Sequence, residues 1–214
     1  MEEQILCLSS EYFDSIGRFQ GYSQDTKYVT RLFNPRNKQF SFQPKNPETE
    51  SNPFFKQIVS YVTVQFGQPE DRLILSYTRG SSGGEGRLHD FKSIGVGGHV
   101  NDSLEVPQKI SSVFSNRSFE LSYIKEHALR EIKEEISYPS KNPNFYLIGL
   151  INDDSNPVGQ VHLGVVYCLH LNTPEVESRE SSLANLEIVS PHQVLSNKDQ
   201  YEPWSQLLID GLYN

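Results

Sequence analysis

Between His127 and Ile136 the chain sets three glutamates, Glu131, Glu134 and Glu135, around one arginine, Arg130. On a helix, positions i, i+3 and i+4 project from neighbouring points on one side. Three crowded carboxylates repel one another, and Lys133 points elsewhere on the wheel. A hard cation removes that repulsion, because Mg²⁺ takes oxygen ligands and shares them among carboxylates, water and phosphate groups. Such an ion polarises a phosphoryl group and lowers the pKa of an attacking water. Arg130 would hold a carboxylate in place through a charged hydrogen bond. Without its surroundings, the same run also reads as a solvated helix face laced by Glu126–Arg130 and Arg130–Glu134 pairs.

Other candidates are scattered. Arg79 and Arg87 flank a glycine-rich loop and would suit an anion clamp or a solvated loop equally. The loop is not a P-loop, since no Gly-Lys-Ser/Thr follows. His127 lies one turn before Glu131 and reads as a partly buried histidine more readily than as a general base. His99, after Gly97-Gly98, would help to shape a site, and His162 reads as a satisfied core histidine.

The elements that must carry these groups follow from periodicity. In 119–136, Leu121, Ile124, Ala128 and Ile132 recur at three and four, giving one apolar stripe, and Pro139 and Pro143 stop the helix. Residues 58–66 are β-branched and aromatic, 67–71 form a turn, and 72–77 form a second strand, so the pair reads as a hairpin. Residues 93–96 lead into Gly97-Gly98, and 101–116 read as a loop. Strands are expected over 145–151, 160–171 and 186–189, and an amphipathic helix over 204–212. Upstream, Ser9 or Ser10 would cap a short helix, and 34–53 read as loop or linker. Residues 1–53 thus read as an N-terminal extension packed on a main domain of 54–214. Strands interrupted by two substantial helices suggest a mixed sheet with helices on its faces.

The order Gly-Gly, then a helix bearing Arg130-Glu131-Ile132-x-Glu134-Glu135, closely resembles the Nudix box. That pattern is Gly, five residues, Glu, seven residues, Arg-Glu-aliphatic-x-Glu-Glu-x-Gly-aliphatic. The flanking elements resemble the Nudix α/β/α sandwich over residues 55–214. The runs Gly86-Arg87-Leu88 and Ser93-Ile94-Gly95-Val96-Gly97-Gly98-His99-Val100-Asn101 resemble a Nudix subgroup described as predicted phosphoesterases. There are departures. The first box glutamate should fall at Ser122 and the opening glycine at Asn116, so an insertion of roughly 17 to 18 residues separates Gly97-Gly98 from the helix. Glu120 or Glu126 would have to stand in for the missing acid. Ser137 replaces the glycine after the glutamates, leaving a less permissive helix end.

The resemblance implies a hydrolase that cleaves a phosphoanhydride in a nucleoside diphosphate derivative or related phosphorylated small molecule. Glu131, Glu134 and Glu135 would hold Mg²⁺ or Mn²⁺, with Glu187 as a further ligand because it resembles the glutamate before the family's late strand; Glu175, Glu177 and Glu180 compete for that role. Arg130, Glu131 and Glu134 would be the catalytic set, with either glutamate as base. Arg79, Arg87, Gly97 and Gly98 would bind substrate. The alternative is a catalytically inactive Nudix-fold nucleotide-binding regulator. The isopentenyl diphosphate isomerases share the fold but use a cysteine motif absent here.

Composition bounds these readings. With 214 residues, 12 Phe and 11 Tyr, the chain can form a sizeable aromatic core. Its formal charge of −8, with no Lys/Arg-rich run, argues against a nucleic-acid backbone as partner and against RNA decapping. Cys7 and Cys168 are too few for a disulfide framework. No membrane-spanning run or leader pattern is visible, so a cytoplasmic protein without membrane partners is expected. A homodimer stays open.

Overall fold

The computed structural model describes residues 3–34, 39–80, 90–103, 119–140 and 143–214. Strand β1 (Gln4–Ser9) ends at Ser9, whose hydroxyl accepts the Tyr12 amide at 3.3 Å and so caps α1 (Ser10–Ser15). Short β2 (Gly21–Ser23) precedes α2 (Thr26–Leu32), capped by the Asp25 carboxylate. β3 (Phe40–Pro44) and α3 (Pro47–Glu50) occupy the stretch expected to be loop. β4 (Phe55–Phe66) is buried at nearly every position, and a 3₁₀ turn at Pro69–Asp71 leads into β5 (Leu73–Arg79). β6 (Lys92–Ser93) and β7 (Val96–His99) follow.

α4 (Phe119–Glu135) is the expected long helix and runs directly into β8 (Ile136–Ser137). β9 (Asn144–Asn152) comes next. Then Asn156 caps a single turn, α5 (Pro157–Gln160), so the following strand β10 begins at His162 (His162–Leu171) and not at 160. β11 (Glu177–Ser178), β12 (Leu183–Val189), α6 (Pro191–Ser196) and α7 (Pro203–Tyr213) complete the chain. The class is α/β, with a large mixed sheet and helices. Of the 101–116 loop, only 101–103 fall within the described residues, and Arg87 lies outside them.

The chain clusters into two units, and β4, β7, β9, β10 and α4 contribute residues to both. The first holds Met1–Ser60, Gly98–Leu129 and Gly149–Val165. In it β1 pairs antiparallel with β3 (Leu6↔Phe42) and with the start of β4 (Leu8↔Lys56), and β2 pairs with β9 (Tyr22↔Ile151). That pairing explains β3: a short run with only Phe40 and Phe42 as strand formers becomes a strand because β1 supplies its hydrogen bonds. Lys56 is fully buried, and its ammonium group donates to Asp154 Oδ1 at 2.5 Å and to the Gly159 carbonyl at 2.9 Å. Without such partners a charge at that depth would be prohibitive. His127 is fully buried beside Asn101, its Nε2 receiving the Asn101 amide at 3.3 Å. His162 Nδ1 lies 2.6 Å from the Val158 carbonyl and must carry a proton there. Its Nε2 is then the acceptor for His99 Nε2 at 2.9 Å.

The second unit holds Tyr61–Gly97, Arg130–Ile148 and Val166–Asn214. β5 pairs with the end of β4 (Gln65↔Ile74), with β12 (Leu75↔Ile188) and with β6 (Tyr77↔Ser93). The Ser93-Ile94-Gly95 run gains its shape from a buried polar cluster. Tyr61 donates to Glu202 Oε1 at 2.6 Å, and Glu202 also accepts the Trp204 and Ser205 amides at the start of α7. Ser205 Oγ accepts the Ile94 amide at 2.9 Å, and Tyr77 donates to the Gly95 carbonyl at 2.8 Å. A Cβ on Gly95 would collide with the Tyr61 ring, so this position tolerates only glycine. No helix among the described residues is long and apolar enough to cross a membrane.

Candidate active site

Glu131, Glu134 and Glu135 all lie in the second unit, on the last part of α4. Ile132 and Ile136 are fully buried there and fix which side of the helix faces inward. That leaves Glu131 and Glu135 half-buried and Glu134 exposed. The Arg130 guanidinium bridges two of the acids, donating from Nη2 to Glu131 Oε1 at 2.5 Å and from Nη1 to Glu134 Oε1 at 3.5 Å. Bidentate reach of this kind is what a lysine could not supply.

A second segment meets these acids. β8 pairs antiparallel with β11 in the register Glu177↔Ser137 and Ser178↔Ile136. Ser182 Oγ then lies 3.2 Å from Glu135 Oε2 and 3.5 Å from Glu180 Oε2. The electrostatics join the two segments into one cluster. Burial raises the pKa of Glu135, the Glu180 and Glu131 charges raise it further, and Ser182 and Arg79 offset part of the rise. Burial also raises Glu131; Arg130 pulls against it, while Glu134 and Glu180 add to it.

Arg79 ends β5, opposite Leu183 of β12, and its positive charge reaches Glu135. The next residue, Gly80, donates its amide to the Ser182 carbonyl at 2.9 Å, and a Cβ there would collide with the Ser181 carbonyl. The close approach of β5 and the 180–182 segment therefore depends on a glycine. Gly97 adopts φ +156, which side-chain-bearing residues avoid, and Gly98 belongs to the first unit. Glu187 sits on β12, where Lys92 Nζ holds its carboxylate at 2.7 Å. Glu120 and Glu126 belong to the first unit.

Structure thus gathers Arg130, Glu131, Glu134, Glu135 and Arg79, and it adds Glu180, Ser182 and Arg179. Glu180 is one of the three acids that compete in the sequence; Ser182 lies between it and Glu135, and its charge acts on Glu131 and Glu135, contacts that no local pattern reveals. Nothing in the sequence singles out Ser182 or Arg179. Their contacts arise between segments 46 and 47 residues apart. The helix end also differs from the expectation of a poor stop at Ser137. Ser137 is extended in β8, and the last carbonyls of α4 find donors in Arg179, whose amide meets Glu135 O and whose Nη1 meets Lys133 O, both at 2.8 Å.

Among the described residues, no three His, Cys, Asp or Glu side chains stand close enough to enclose a metal ion as placed. In donor chemistry the cluster still fits a hard divalent cation. It offers carboxylate oxygens, and Glu131 and Glu135 have raised proton affinity, first through burial and then through neighbouring glutamate charges that a bound cation would offset.

No family model matches the chain. It is similar to Protein YmaB of Bacillus subtilis (strain 168), with 32% identity over 199 residues, 91% of this chain and 88% of that protein. Among solved structures it is similar to Tm1382, a candidate Nudix hydrolase, at TM-score 0.72 and 21% identity over 99% of both chains. DR0079 from Deinococcus radiodurans superposes at TM-score 0.56 and 13% identity, over 85% of this chain and 97% of that one. A Nudix hydrolase from Alicyclobacillus acidocaldarius does so at TM-score 0.50 and 10% identity, over 74% and 91%. At such identities the structural likeness speaks to the fold.

Proposed function

The chain belongs to the family of Protein YmaB and has the Nudix fold, and on that premise we propose that it is a metal-dependent hydrolase of phosphoanhydrides. Its substrate would be a nucleoside diphosphate derivative or a related phosphorylated small molecule. The observation that carries this reading is the coupled acid cluster of Glu131, Glu134, Glu135 and Glu180, in which burial and mutual repulsion raise the proton affinity of Glu131 and Glu135.

In this reading the four glutamates would hold Mg²⁺ or Mn²⁺. We rank Glu180 ahead of Glu187 as the fourth acid, because Lys92 engages the Glu187 carboxylate. When bound, the ion supplies Lewis-acid polarisation of the phosphoryl group and acidifies a nearby water. Arg130 keeps the Glu131 and Glu134 carboxylates oriented. Glu131 accepts the proton of the attacking water, a task suited to a carboxylate of raised pKa. The water oxygen bonds to phosphorus as the bridging P–O bond breaks. Arg79, Arg87 and the amides of Gly97 and Gly98 would bind the phosphates of the substrate, which local cations must attract against a net charge of −8.

Residues 54–214 would form the hydrolase body and 1–53 an N-terminal extension. Two buried free thiols, Cys7 and Cys168, support a reducing, cytoplasmic setting. The test is a screen of nucleoside diphosphate derivatives with Mg²⁺ and Mn²⁺, following the products released. Metal-dependent cleavage of at least one derivative is expected. Binding of nucleotides without turnover under every metal condition would overturn the proposal in favour of a regulator.

A further inference from the structure

We infer that Arg179 is a positioning residue that closes the acid-bearing end of α4, performing from another segment the task of the missing glycine; the inference rests on the hydrolase reading above. A helix leaves its last carbonyls without intrahelical donors and gathers partial negative charge at that end. Here the same end also carries Glu131, Glu134 and Glu135. The residue after the helix cannot relieve this locally, because Ile136 and Ser137 are committed to the ladder with β11.

Arg179 supplies both donors. Its guanidinium Nη1 reaches the Lys133 carbonyl and its amide reaches the Glu135 carbonyl, each at 2.8 Å. A cation at a helix C-terminus is favourable on charge alone, and one that also donates hydrogen bonds holds the turn in place. The side chain stays exposed, so it fills no core. Among the described residues, these two hydrogen bonds go to main-chain carbonyls of the turn that carries the acids. The segment is itself anchored on its far side, where Gly80 donates to the Ser182 carbonyl and Ser182 Oγ touches Glu135. Residues 179–182 thus form a strap between the end of β5 and the end of α4, with Arg179 as its fastening.

The test compares wild type with Arg179→Ala and Arg179→Lys in kcat, KM, melting and amide hydrogen exchange over 131–135. Arg179→Ala should fold, exchange faster in that turn, and lose about tenfold or more in kcat with little change in KM, because a small displacement of catalytic groups is costly. Arg179→Lys should recover much of the rate, and added guanidinium ion should partly rescue Arg179→Ala. Wild-type kcat in Arg179→Ala would overturn the inference. So would a loss confined to KM with unchanged exchange, which would make Arg179 a substrate contact. If Arg179→Ala does not fold, Arg179→Gln set against Arg179→Lys makes the same comparison. If wild type cleaves nothing, the hydrolase reading fails on its own, and unchanged exchange in the variant still overturns the positioning role of Arg179.

Discussion

If Glu135 holds metal as proposed, chemistry and stability oppose each other at this residue. Burial first, and then the charge of Glu180, raise its pKa. A carboxyl whose folded pKa exceeds its unfolded one contributes stability that is present below the unfolded pKa and is lost as pH rises through the folded value. At neutral pH the ionised group therefore weighs against the fold. Glu135→Gln keeps the shape and the contact with Ser182 but removes the charge. It should raise the melting temperature and lower turnover by about 100-fold or more. Glu134→Gln should lose activity to a similar extent, and full activity in both variants would reject the site. The histidine pair gives a prediction of opposite slope. Burial, with the adjacent His162, lowers His99 to about 4 from an ordinary 6.5. The unfolded chain then binds a proton that the folded chain refuses, so stability should fall as pH drops from about 6.5 to about 4. Melting curves across that range should show the loss, and His99→Gln should remove this part of it. At this scale the sequence exposed Arg130, Glu131, Glu134 and Glu135, because helical spacing is local. Arg179 and Ser182 were hidden, because their contacts depend on which strand β11 pairs with.

Elements were legible where their own periodicity decides them. The long helix and the strands β4, β5, β9 and β10 carry apolar patterns strong enough to be seen alone, to within a few residues at their ends. β3 and α3 did not announce themselves, since β3 exists by pairing with β1 and α3 is a single capped turn. The Ser93–Asn101 run was recognised as a motif, and its physical basis proves to be docking. Gly95 lies against the Tyr61 ring, within the polar cluster that starts α7. Gly95→Ala should therefore destabilise the protein by about 3 kcal/mol or more, since a buried clash against an aromatic ring cannot relax by one rotamer change. Denaturant titration reads this directly, and a variant as stable as wild type would show that β7 does not depend on this packing.

For the whole molecule, composition bounds the class of partner and says little about the substrate. A charge of −8 without a basic tract argues against nucleic acid, and the likeness of fold to Tm1382 extends over 99% of both chains. The same charge makes an anionic substrate depend on local cations, and the acid cluster makes those cations partly inorganic in our account. The central claim is thus metal-dependent hydrolysis. It is tested most directly by following product release from a panel of nucleoside diphosphate derivatives with protein stripped of metal, then with Mg²⁺ or Mn²⁺ restored. The account predicts that turnover of the accepted substrate is abolished by EDTA and recovered with added metal. Undiminished turnover in the metal-free protein would contradict it.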